Sequence, residues 1–207
     1  MVPTAGRDSH EQGAISALLR HGGIGHTSDL AREGVRPAAL ASLWREGRLI
    51  RLKAGLYQLP EALPAQHAAL VQASYAVPRG VICLTSALDF HGLTDANPSA
   101  VFVAIPMGGW AAAVEEPPLH IVRFRPHLFQ LGIQRVEIEG HPVRVYSQEK
   151  TLCDCLRLVG LVGLETALVS LRRYLRSPGG SAAALLTVAR QCRVARRVMP
   201  YLEALTA

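Results

Sequence analysis

Aromatic residues make up only 5% of the 207 positions, and there are four cysteines. Cys83, Cys153, Cys155 and Cys192 form no CxxC pair and share no ligand spacing with histidine, which argues against a zinc site and a disulfide framework. The eight histidines include no HExxH pattern. "GGIG" at 22–25 lacks the following lysine and threonine of a phosphate loop. No run of about 20 apolar residues is free of charge. The strongest, "TLCDCLRLVGLVGLETALVSL", is interrupted by Asp154, Arg157 and Glu165. The first twenty residues have no apolar core of the kind a secretory signal needs. These absences lead to the expectation of a soluble, cytoplasmic protein without metal, cofactor or membrane span.

What is present is a globular composition, 49% apolar, with a formal net charge of +6. The charge is uneven. Residues 1–60 hold eight Lys or Arg against five Asp or Glu, residues 61–147 five against seven, and residues 148–207 nine against four. Basic ends are compatible with nucleic acid, although a solvated charged face gives the same signal.

"EQGAISALLRHGG" places Ile15, Leu18 and Leu19 at helical spacing and closes on paired glycines. "HTSDLAREG" offers Thr27 or Ser28 as an N-cap and Gly34 as a stop. In "RPAALASLWREG", Pro37 suits the first helical position and Gly47 ends the helix. "RLIRLKAGLYQLP" then predicts a hairpin turning at Gly55, with Ile50, Leu52, Tyr57 and Leu59 facing inward and Arg51, Lys53 and Gln58 outward. Three short helices followed by a two-strand wing is the order of a winged helix-turn-helix, whose third helix has the width of a DNA major groove. On that helix Leu40 and Leu43 face the other two, with Trp44 at the edge. Ala38, Ala41, Ser42 and Arg45 share the opposite face. Of these four, Ser42 and Arg45 alone carry hydrogen-bonding side chains, so base readout is expected to be sparse and phosphate contacts to dominate. Replacing Arg51 and Lys53 with alanine is expected to spare the fold and weaken DNA binding.

The prolines of "LPEALPAQHAAL" place a domain boundary near Leu63 or Pro64, giving a winged helix over 1–63 and a second domain over 64–207. "GVICL", "AVFVAIP" and "LHIVRF" read as strands. "IQRVEIEGHPVRVYS" reads as a hairpin turning at Gly140, and the chain beyond Gln148 as helices. This is an α+β pattern. In "TSALDFHGL", Thr85 or Ser86 suits an N-cap with Asp89 three residues on.

Several other groupings hold residue types that carry chemistry elsewhere. Ser86, Asp89 and His91 are the residue types of a hydrolase triad, but they fall within about one helical turn, whereas a triad converges from separate elements. Asp95, Glu137 and Glu139 suggest nuclease carboxylates, yet no lysine completes the set in "EIEGHPV". Lys150 and Asp154 are spaced for a surface ion pair at a helix start. Cys153 and Cys155 are two apart and cannot share a helix face. The arginines from Arg190 to Arg197 form the densest basic cluster and read as a second DNA contact, a docking face for an acidic partner, or an exposed helix side.

The order of "HTSDLAREGVRPAALASLWREGRLIRLKAGLYQLP", "GVICLTSALDFHGL" and "IEGHPVRVYSQEKTLCDCLRL" resembles the AbiEi family, antitoxins of the AbiE bacterial toxin–antitoxin systems, from about Gly22 to Leu175. The resemblance implies an N-terminal winged helix that binds inverted repeats in its own promoter as double-stranded DNA and represses the operon. It also implies a C-terminal domain that neutralises a nucleotidyltransferase-like (AbiEii-like) toxin, and a regulatory protein rather than an enzyme. The DNA-contacting segments carry over as Pro37–Arg45 and Arg48–Lys53, and Thr27, Arg36, Ala38, Ser42, Arg45, Arg48, Arg51 and Lys53 are the expected DNA-binding residues. Glu149 and Lys150 keep the acidic-then-basic pair that precedes "TL" in the family. No toxin-contacting residue carries over, and the resemblance leaves open whether a monomer binds DNA cooperatively. Two alternatives remain at this point: a DNA-targeted nuclease-type enzyme and a ligand-sensing repressor.

Overall fold

The computed structural model describes residues 5–60, 62–63, 67–96, 98–111 and 113–206. The fold is α+β, and the chain packs as two units. The first comprises residues up to Pro78 together with 112–119 and 137–142, so it takes in a helix that the sequence reading assigned to the second domain. Of the two residues proposed for the boundary, Pro64 lies outside the described residues.

The first unit starts with α1 (Ala5–Arg20), β1 (Ile24–His26), α2 (Thr27–Arg32) and α3 (Pro37–Arg45). The three helices stop by the same device. Gly22, Gly34 and Gly47 each have positive φ, which glycine adopts without a Cβ clash. After each of them the next amide reaches back to the helix: Gly23 N–H to Leu18 O (2.7 Å), Val35 N–H to Leu30 O (3.1 Å) and Arg48 N–H to Leu43 O (2.8 Å). α3 starts at Pro37 as expected, but the start of α2 differs from expectation. The N-cap position of α2 is His26, which makes no capping bond and whose ring instead bonds the Tyr75 carbonyl at 3.0 Å, while Thr27 N–H donates to the Gly55 carbonyl at 2.8 Å.

β2 (Ile50–Lys53) and β3 (Leu56–Gln58) form the wing, and β1 joins them to give the order β1-β3-β2, with every pairing antiparallel. Three residues of "IGH" carry no alternating pattern, so β1 was not visible in the sequence. Its presence puts β3 in the middle and buries all three of its residues. Gln58, expected outside, is therefore buried and accepts a hydrogen bond from Gln72 Nε2 at 2.8 Å, while Ile50, expected inside, is 38% exposed on the edge strand. The core comprises Ala14, Ala17, Leu18, Leu30, Val35, Ala39, Leu40, Leu43, Leu49 and Tyr57. Each buried leucine contributes about 1.5–3 kcal/mol by leaving water. Leu19, one step around α1 from Leu18, is instead 62% exposed. α4 (Ala68–Ala76) packs on β2.

The second unit is built on a five-stranded sheet, order β6-β5-β4-β8-β7. Its elements are β4 (Val81–Ile82), α5 (Leu84–Phe90), β5 (Val101–Pro106), β6 (Leu119–Phe124), α6 (Pro126–Gln130), β7 (Ile133–Ile138) and β8 (His141–Tyr146). α7 (Gln148–Arg157), α8 (Val159–Val162), α9 (Leu164–Arg176), α10 (Ala182–Gln191) and α11 (Ala195–Thr206) follow. β4 pairs antiparallel with β5 and parallel with β8. α7 is enclosed by α5, α9 and α10, so Cys153 and Cys155 are both fully buried although they point different ways.

That enclosure overturns the expected surface ion pair. Lys150 and Asp154 are both 0% exposed, and Arg157 pairs with the other oxygen of the same carboxylate. The Lys150 ammonium lies over the rings of Tyr146 (4.3 Å) and Phe124 (4.7 Å), a cation–π cage in place of water. Burial pushes its pKa down to about 8. Gly132, at φ +71°, lets this helix approach: a Cβ there would stand 2.7 Å from Lys150 Cβ. Ser147 caps α7, its side chain accepting from Lys150 N–H.

Candidate nucleic-acid interface

The exposed face of α3 carries Ala38 and Arg45, with Arg36 just before the helix. Arg36, Ala38 and Arg45 line a cleft of about 340 Å³ together with His10, Glu11, Ala39 and Ser42. The Arg36 side chain has no hydrogen bond or ion pair among the described residues, although its carbonyl accepts from Ala39 N–H at 3.0 Å. Arg45 uses only its Nε–H, donated to the Ala41 carbonyl at 3.1 Å, and leaves its terminal nitrogens toward solvent.

The other expected contact residues are arranged differently. Ser42 is buried, 8% exposed, and its Oγ donates to Glu46 Oε1 at 3.0 Å. It faces the protein because Ala39, Ser42 and Leu43 sit on the packed side of α3. Thr27 is half-buried where α2 meets the wing turn. Arg48 ties the end of α3 back to α1 through Glu11 (3.1 Å) and approaches Glu46 at 3.7 Å. Arg51 lies with its guanidinium 3.9 Å over the Trp44 ring and is paired with Glu115. Lys53 is half-buried and donates to the Ala76 carbonyl at 2.6 Å, and desolvation lowers its pKa. Of the expected contact cations, Arg36 and Arg45 are therefore the ones openly presented to a polyanion, and the three wing-region cations, Arg48, Arg51 and Lys53, already have partners.

Trp44 and Glu115 were not foreseen as parts of this surface. Trp44 has a local signal, an aromatic at the edge of α3. Glu115 stands 64 positions from Arg51 and has none.

The other constellations do not assemble. The Ser86 Oγ accepts from Phe102 N–H at 2.9 Å instead of capping α5, whose N-cap position is Cys83. His91 Nε2–H donates to the Tyr146 carbonyl at 2.7 Å, and Asp89 is exposed, so the three residue types of a triad point to three environments. Asp95 is clamped by both terminal nitrogens of Arg173, one at 2.9 Å, and Arg173 in turn lowers its pKa. Glu137 and Glu139 are exposed. Among the described residues no three His, Cys, Asp or Glu are grouped to hold a metal ion, and no helix is long and apolar enough to cross a membrane. In the basic cluster Arg190, Arg193 and Arg196 are exposed, while Arg197 donates to the Arg157 carbonyl at 3.1 Å.

No curated protein matches the chain. A family model described as "Transcriptional regulator, AbiEi antitoxin" matches residues 14–60, the span from the middle of α1 to the end of the wing. Through that segment, under a quarter of the chain, the N-terminal region is similar to AbiEi antitoxins of the transcriptional-regulator type.

Proposed function

We propose that the protein represses its own operon by binding inverted repeats in its promoter and neutralises a nucleotidyltransferase-like toxin encoded beside it. The match of residues 14–60 to AbiEi transcriptional regulators, on a segment folded as three helices and a wing, carries this reading. The surface fits the first half in a specific way. Arg36 and Arg45 flank the alanine-lined opening of α3, so phosphate contact and duplex shape would supply most of the affinity, with thymine methyls the natural apolar contact for Ala38. Such binding falls linearly in log K with log salt, by nearly one ion per phosphate neutralised.

Fluorescence anisotropy with a duplex taken from immediately upstream of the gene tests the repressor half, with scrambled duplex as competitor. Preferential binding that weakens steeply with salt is expected, and equal affinity for both duplexes would remove autorepression. Co-expression with the adjacent gene product tests the antitoxin half: growth arrest that persists in the presence of this protein would remove it.

A further inference from the structure

We propose that the acidic segment Val114–Glu116 is an intramolecular competitor of DNA for the wing: Glu115 occupies Arg51 in place of a backbone phosphate, and full engagement of a duplex opens that contact. The proposal rests on the DNA-binding reading above and adds to it a carboxylate that the duplex must displace.

Two contacts define the arrangement. Arg51 Nη2 lies 3.1 Å from Glu115 Oε1, and Arg51 Nε donates to Oε2 at 3.4 Å. This two-point geometry is the one a guanidinium uses for a phosphate, and a carboxylate offers the same planar pair of acceptors. The backbone holds the carboxylate there, since the amides of Glu115 and Glu116 both donate to the Leu52 carbonyl, at 2.7 and 3.2 Å. The segment thus covers the outer edge of β2, the edge strand of the wing.

Arg51 is preset for a ligand. Its guanidinium stacks on Trp44 at 3.9 Å, and Trp44 belongs to α3, the helix that carries the open cations. Removing Glu115 would leave the stacking surface in place and a cation facing outward. The carboxylate is easy to displace, because its side chain is 50% exposed and that of Arg51 30%, and a pair so open to solvent is weak and screened by salt. A duplex that already contacts Arg36 and Arg45 presents several phosphates against this single carboxylate.

The test uses the full chain and the labelled upstream duplex. Glu115→Gln removes the charge and keeps both backbone bonds to Leu52. It is expected to tighten binding roughly two- to fivefold, the fold-change that an exposed ion pair supplies, and to steepen the salt slope by up to about one ion. Glu116→Gln makes the same change in net charge at a side chain that is not on Arg51, and should give a smaller gain. In an Arg51→Ala background Glu115→Gln should give none. Unchanged or weaker binding by Glu115→Gln with an unaltered melting profile would overturn the proposal, as would an equal gain from Glu116→Gln or a gain that survives without Arg51. Failure of every variant and of the wild type to bind any duplex would instead remove the DNA-binding reading, and this proposal with it.

Discussion

At the scale of single residues, the decisive positions are polar groups taken out of water. Asp154 neutralises two cations at once, so Asp154→Ala leaves Lys150 and Arg157 unpaired in a closed environment. It should cost about 3–5 kcal/mol in urea unfolding. Lys150→Met should cost clearly less, because Asp154 keeps Arg157 and an unbranched apolar chain suits a site lined by Phe124 and Tyr146. A second residue-scale expectation concerns acid. Burial lowers the pKa of His91 below its ordinary value of 6.5, the neutral ring donating to Tyr146. Below about pH 6.5 the unfolded chain takes up a proton that the folded chain resists, so stability falls as pH drops through that range and is fully present above it. Wild type should lose more of its urea midpoint between pH 7.5 and 5.5 than His91→Gln, whose amide can keep the bond without titrating.

At the scale of elements, α3 and the wing divide the work unevenly. Arg36→Ala and Arg45→Ala should each lower the salt slope of DNA binding by about one, whereas Ser42→Ala should leave the slope unchanged, since its hydroxyl is spent on Glu46. The three helices, their order and their glycine stops were legible because each rests on local chemistry: 3.6-residue periodicity, Pro37 at a first helical position, and Gly22, Gly34 and Gly47 where φ turns positive. The caps and the outward face of the wing were not. Thr27 and Ser86 have the composition of N-caps, but Thr27 lies inside α2 with its N–H bonded to the wing turn, and β5 claims the Ser86 hydroxyl. Arg51 and Lys53 read as free cations until residues far along the chain provide Glu115 and the Ala76 carbonyl. Replacing both with alanine therefore disturbs packing as well as charge, and the sequence-level expectation of an intact fold gives way to a modest loss of stability.

At the scale of the whole molecule, the first unit is assembled from three separate stretches of chain. His141, 4% exposed, accepts from or donates to the Tyr75 hydroxyl at 3.2 Å and packs so closely on Gly22 that a Cβ there would lie 2.5 Å from its ring. A fragment ending at Pro78 loses His141 and the cover on Leu52, and its winged helix should melt at a lower temperature than in the full chain, as amide exchange of residues 24–26 and 56–58 would show. What the sequence by itself determined is the order of the first three helices and the wing, the α+β class and the likeness of the N-terminal segment to AbiEi regulators, because periodicity, turn chemistry and motif order are properties of neighbouring residues. Tertiary structure alone decided that Lys150 and Asp154 are buried, that Gln58 faces in, and that Arg51 is held by a carboxylate. Burial and ion pairing depend on which distant segments pack together, and spacing along a chain does not record that.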